Sequence, residues 1–185
     1  MTFGIALVQA IAATVALLGS RIDATAPPPA ATLQDQNGKP FTLGGLHGKE
    51  VVLFFGYAHC RDVCPATMAK IAHAYRSLGP AAQHVAVAFV TVDRAHDTPA
   101  ALKRYVGVFD KRFYGLTGSA DALGKVYGAY HVWFQPLPAH GASGDEIAHA
   151  SSVFILDRDG HLRDILEWTA AEDTIAHDMR ELAPS

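Results

Sequence analysis

Residues 51–65 read V-V-L-F-F-G-Y-A-H-C-R-D-V-C-P, and the fold turns on them. Residues 51–55 are a continuous apolar, β-rich run, the pattern of a strand buried on both faces of a sheet. Gly56 breaks the run, and a short loop follows that carries Cys60 and Cys64, the only two cysteines of the chain. Pro65 suits the first turn of a helix, where its missing N–H costs nothing. Met68, Ile71, Ala72, Tyr75 and Leu78 then recur at helical spacing, which predicts a helix over residues 65–78. The order is strand, loop with two thiols, helix. Unpaired N–H groups and the positive dipole end of a helix start stabilise a thiolate, and Cys64 sits where that effect acts. Two thiols this close can form a disulfide or together clamp one soft metal ion. A purely structural bridge is the weaker reading, because such bridges gain most when they close long loops.

Downstream, Gly79-Pro80 stops the helix, and residues 85–92 form a second long apolar run that ends at Asp93. Thr98 and Pro99 supply an N-cap and a first helical position, and Ser119 caps a further helix that runs to about Tyr130. Residues 113–116 suit a short strand, and residues 131–143 read as a loop. Residues 153–156 are a third apolar strand, and Asp159-Gly160 turns the chain into residues 161–166. Thr169 and Glu172 make a capping box for a last helix that reaches about Leu182. Upstream, Asn37-Gly38 marks a two-residue turn in a small hairpin over residues 33–43. Strands that alternate with helices early and form a hairpin late predict an α/β domain with a central mixed β-sheet flanked by helices.

Residues 3–19 are almost uninterruptedly apolar and carry no charge, which favours an uncleaved N-terminal membrane anchor over a signal peptide. Residues 25–32, T-A-P-P-P-A-A-T, read as a Pro-rich spacer. The expected division is an anchor with its flank over 1–24, the spacer over 25–32 and one domain over 33–185. With 185 residues, half of them apolar, the chain can build a proper core. A formal net charge of −3 leaves no electrostatic footprint for nucleic acid.

The motif F-F-G-Y-A-H-C-R-D-V-C-P resembles the signature of the Sco/SenC family, F-G-Y-T-H-C-P-D-V-C-P. The likeness extends to Val90-Thr91-Val92-Asp93 with Asp97-Thr98-Pro99, which is similar to the family's V-D-P-x-x-D-T-P, and to Gly115-Leu116-Thr117-Gly118, its G-L-T-G. His149 stands just ahead of the strand at residues 153–157, where the family places its third copper ligand. The resemblance covers about residues 33–166. It implies a thioredoxin-like fold, anchored in the bacterial inner membrane by one segment and facing the periplasm. It also implies that Cys60, Cys64 and His149 bind copper, as Cu(I) or Cu(II), for delivery to the copper-site subunit of cytochrome c oxidase, with another periplasmic copper chaperone as a second partner. Such a protein is a metallochaperone rather than an enzyme. Thiolates suit Cu(I), imidazole suits either oxidation state, and three ligands leave a site open enough to pass its ion on.

The chain departs from the family pattern at Arg61, Ala148 and Ala150. Arg61 replaces proline in the thiol loop and adds a positive charge that lowers a neighbouring thiol's pKa. Ala148 removes an acidic neighbour that would orient the imidazole. The alternative function is a membrane-tethered thiol–disulfide oxidoreductase that reduces the cysteines of a copper-site partner through the same Cys60–Cys64 pair. The C-x-x-x-C spacing, in place of C-x-x-C, favours metal. Strand alternation turns the His59 side chain away from the thiols. Asp62 tunes the site by hydrogen bonding rather than ligation, and Asp93 caps the loop that follows it. His131, His140 and His161 are expected to be solvated or packed.

Overall fold

The computed structural model describes residues 16–23, 26–136, 147–149 and 151–182. Its centre is a six-stranded sheet. In chain order the sheet's strands are β1 (Ser20–Arg21), β4 (Glu50–Gly56), β5 (Val85–Thr91), β6 (Tyr114–Leu116), β9 (Val153–Leu156) and β10 (Leu162–Leu166). In space they run β1-β10-β9-β4-β5-β6. Strands β4, β5 and β6 are parallel, whereas β9 and β10 form an antiparallel hairpin against the other side of β4. Two further hairpins stand apart from this sheet: β2 (Leu33–Gln34) with β3 (Pro40–Phe41), and β7 (Phe134–Pro136) with β8 (Ile147–His149). The four helices are α1 (Val63–Ser77), α2 (Pro99–Phe109), α3 (Ala120–Ala129) and α4 (Glu172–Leu182).

The apolar run read from the sequence is the middle of the sheet. All seven residues of β4 are buried, as are all seven of β5. Alternation along β4 sends successive side chains to opposite faces. Phe54 meets Phe89, and Phe89 meets Tyr105 of α2. Phe55 faces the other way and meets Tyr127 of α3, Tyr130 and Phe154. The sheet is therefore covered on both faces, which is why β4 and β5 carry apolar residues without alternation.

The expected N-caps hold: Thr98 Oγ1 accepts from the N–H of Ala101, and Ser119 Oγ accepts from that of Ala122. The hairpin around Asn37-Gly38 is present, with Gly38 at a φ of 78°. Two details differ. Helix α1 starts at Val63, not at Pro65, so Cys64 lies inside its first turn. Helix α4 starts at Glu172, and the N–H of Ile175 bonds to the carbonyl of Ala171. Thr169 lies in the preceding turn, so the expected capping box does not form.

The sequence reading has no counterpart to β1. Ser20 and Arg21 extend the sheet along β10, and the N–H groups of Leu18 and Gly19 each donate at 2.8 Å to the carboxylate of Asp178 on α4. Asp164 of β10 is fully buried beside that carboxylate, and burial together with Asp178 pushes its pKa up to about 7. Below the ordinary carboxylate pKa both folded and unfolded chains hold the proton, and the group costs nothing. From about pH 4 to pH 7 only the unfolded chain gives it up, so stability is lost as the pH rises through this window. Asp164→Asn mimics the protonated form and should stabilise the protein by about 1–3 kcal/mol at pH 8. The gain should vanish near pH 4, and urea melts at the two pH values measure the difference.

Among the described residues no helix is long and apolar enough to cross a membrane. Residues 3–15 of the expected anchor lie outside the described residues.

Candidate metal centre

The two cysteines lie at the carboxyl end of β4, where the chain leaves the sheet and re-enters as α1. The loop is folded by the N–H of Cys60 donating to the carbonyl of Tyr57 at 3.2 Å. Cys64 is fully buried, whereas Cys60 is half-buried at the rim. The two are not joined in a disulfide.

Gly56 makes this approach possible. A Cβ on Gly56 would stand 2.8 Å from Cys64 Sγ and 3.0 Å from Phe89 Cε2. The bare backbone at the strand end is the space into which the sulfur packs.

The two sulfurs are chemically unequal. The Cys64 thiol donates a hydrogen bond to Cys60 and holds the Cys60 pKa down to about 5, against the opposing pull of partial burial. The N–H groups of Asp62 and Cys64 at the helix start and the Tyr57 hydroxyl add to the effect. These are the helix-start donors anticipated from the sequence, but they serve Cys60 rather than Cys64. The same hydrogen bond, together with burial, pushes Cys64 well above an ordinary thiol. At neutral pH the pair is one thiolate and one thiol. Iodoacetamide should therefore label Cys60 at a rate that is nearly flat from pH 6.5 to 8.5, where an ordinary thiol, with a pKa near 8.5, speeds up roughly fiftyfold. A labelling rate at Cys60 that climbs tenfold per pH unit would contradict this.

Asp97 is a residue that the sequence reading quoted in a motif and gave no role. It is almost fully buried and ties the thiol loop to the end of β5. Its carboxylate accepts from the N–H of Ala58 at 3.2 and 3.1 Å and from Thr91 Oγ1 at 2.6 Å. Burial raises its pKa, and those two donors hold it back. The available signal was an acid just past a buried strand, ahead of a helix cap.

Tyr57 was likewise missed. Its hydroxyl bonds Cys60, and it also accepts from the N–H of Ile147 at 3.4 Å. Ile147 opens β8, the strand that ends at His149, and His149 is paired with Phe134 of β7. Phe134 in turn meets the ring of Tyr127, whose hydroxyl donates to the carbonyl of Thr91 at 2.6 Å. The backbone carrying His149 is thus fastened over the same end of the sheet as the two sulfurs. The His149 side chain lies outside the described residues, as does that of Ala148, and so does the whole of His140.

His59 reaches Asp93, with Nε2 3.6 Å from Oδ2. Asp93 caps its loop through its carbonyl, which accepts from the N–H groups of His96 and Asp97. His131 is exposed, and His161 is half-buried beside Asp157.

The family model for SCO1/SenC matches residues 28–184. The chain belongs to the SCO1/SenC family. The SCO2 homolog of Bos taurus mitochondria is 32% identical over 151 residues, 80% of this chain and 57% of that protein. A putative copper-binding protein of Stutzerimonas stutzeri is 33% identical over 137 residues, 73% of this chain and 66% of that one. The chain therefore spans between about half and two thirds of the length of these SCO1/SenC relatives. Bradyrhizobium japonicum ScoI, solved with copper bound, superposes with a TM-score of 0.76 at 33% identity, over 85% of this chain and 99% of that one. The fold is the thioredoxin-like fold of the SCO1/SenC proteins, as the sequence predicts.

Proposed function

We propose that this chain is a copper chaperone that supplies copper to cytochrome c oxidase during assembly, with Cys60, Cys64 and His149 as the ligands. The observation that carries the reading is the Tyr57 hydroxyl, which bonds Cys60 and holds the backbone of β8 two residues ahead of His149. The donor set fits the cargo. Cys60 is already a thiolate, and Cys64 can surrender its proton when a soft cation replaces the hydrogen bond between the sulfurs. ScoI, one of the chain's structural relatives, binds copper. The oxidase's copper-site subunit is the proposed recipient, with another periplasmic copper chaperone as a proposed supplier. The apolar leader ahead of residue 16 is the proposed membrane attachment, with the domain on the periplasmic side; residues 16–19, which the sequence reading placed in the anchor, lie against α4 of the body.

The inequality of the two sulfurs also favours a second reading. A half-buried thiolate at the rim backed by a buried thiol is the arrangement of a dithiol that attacks a partner's disulfide, forms a mixed disulfide and is then resolved. Complementation separates the two readings. A strain lacking this protein should lose oxidase activity and regain it with added copper if delivery is the task. A small-molecule thiol should rescue it if reduction is the task. His149→Ala should fail to restore the oxidase in copper-limited medium, and full complementation by that variant would favour the reductase.

A further inference from the structure

We propose that His59, Asp93 and His96 form a second metal site, separate from the cysteine pair, that takes a first-row divalent transition metal, Cu(II) ahead of the others. His96 Nδ1 lies 2.8 Å from Asp93 Oδ2, and His59 Nε2 lies 3.6 Å from the same oxygen. One donor atom of each residue lies within 4.8 Å of the others. Ligand atoms about 2.1 Å from a shared ion stand about 3.0 Å apart at right angles and about 3.4 Å apart in a tetrahedron. The three donors are thus already near the spacing that one ion would impose.

The carboxylate is built in and the imidazoles are open. Asp93 is 7% exposed, its N–H donates to Thr91 Oγ1 at 2.8 Å, and its carbonyl takes the N–H of Asp97 at 2.9 Å. The His59 ring rests edge-on against Tyr57, 4.8 Å between centroids, and the His96 ring stands edge-on to His59 at 5.6 Å. The histidine side chains are 42% and 58% exposed. They border a groove of 590 Å³ that runs past Asp97, Arg104 and Tyr105. An ion held there keeps positions for water and can exchange.

The chemistry of the donors sets the ion. Two imidazoles and a carboxylate are a nitrogen and oxygen set, poor for Cu(I) and good for divalent ions, among which Cu(II) binds most strongly. A second cluster, Asp157, Asp159 and His161, does not qualify, because Arg163 Nε already sits 2.6 Å from Asp157 Oδ2. His96 stands at one of the open positions of the family's V-D-P-x-x-D-T-P segment, so the family motif by itself does not supply this ligand.

The site does not rest on the proposed function, and the test removes the thiols. The full chain carrying Cys60→Ser and Cys64→Ser, titrated with Cu(II) and dialysed, should retain one equivalent. Its electron paramagnetic resonance spectrum should show nitrogen and oxygen coordination, and its visible absorption spectrum no sulfur-to-copper charge-transfer band. Adding His96→Ala should lose that equivalent, whereas adding His149→Ala or His84→Ala, the latter an exposed histidine elsewhere, should keep it. Should the doubly substituted chain fail to fold, wild-type protein oxidised until no thiol titrates takes its place, with the same outcomes expected. No retained Cu(II), or an equivalent that survives His96→Ala, overturns the proposal.

Discussion

Cys60→Ser should abolish tight Cu(I) binding, and Cys64→Ser should do the same. A serine hydroxyl is a hard donor that stays protonated at neutral pH, so either change leaves a single thiolate where Cu(I) needs two. The two variants should differ before any copper is added. Cys60→Ser removes the thiolate and relieves Cys64 of the negative charge beside it. Cys64→Ser keeps a hydroxyl that can donate to the Cys60 thiolate, so Cys60 labelling should stay nearly flat with pH, whereas Cys64→Ala removes the donor that most strongly holds the Cys60 pKa down and should restore a pH dependence. His149→Ala should spare Cu(I), which two thiolates hold in a linear site, and chiefly weaken Cu(II). Anaerobic titration with Cu(I) against a competing chelator measures all three. Wild-type stoichiometry in the Cys60→Ser protein would remove this ligand assignment.

The largest effect on stability should come from Phe55→Ala. Phe55 is fully buried in the middle of β4, and three aromatic rings from two parts of the chain, the end of α3 and β9, close on it at centroid distances of 6.3, 5.9 and 5.5 Å. Truncation removes the transfer energy of the ring and leaves a cavity that Tyr127, Tyr130 and Phe154 fill only in part. The expected cost is about 3–5 kcal/mol. For a domain of this size that lowers the melting temperature by on the order of 10 °C. Phe55→Leu keeps most of the volume and should cost well under half as much. Equal losses in the two variants, measured by urea or thermal melts, would mean that the cavity is not what costs the stability.

Much of this was legible in residues 51–65, for a physical reason. A strand covered on both faces must be apolar without alternation, so β4 and β5 announce themselves, and a proline after the second cysteine fixes where the helix begins to within a turn. The clustering of Tyr57 with Ile147, and of His59 with Asp93 and His96, joins segments up to 90 residues apart, and no local pattern encodes such a meeting. The same holds for the inequality of the sulfurs. The sequence placed the helix dipole on Cys64. The hydrogen bond to Cys60, together with burial, instead keeps Cys64 protonated, and the helix-start N–H groups serve its neighbour. Strand β1 was illegible because a two-residue strand has no periodicity, its partner is the distant β10, and the Asp178 that holds the residues just ahead of it lies 160 residues from Leu18.

That clamp on Leu18 and Gly19 changes what length of leash the protein has. With residues 33–185 alone as the body, everything before Leu33 would be slack, and eight extended residues of the 25–32 stretch would reach about 26 Å. Instead the chain is fastened at Asp178 and along β10, and Ala31 is buried before the chain enters β2. Its point of departure is the outermost strand, three strand spacings, or about 14 Å, from the strand that leads to Cys60. If the preceding residues hold the protein to a membrane, the body turns on a short hinge at its sheet edge instead of swinging freely. The thiol loop is then presented to a partner from a restricted set of orientations. A shorter search makes up for a smaller reach, which suits delivery to a target fixed in the same membrane.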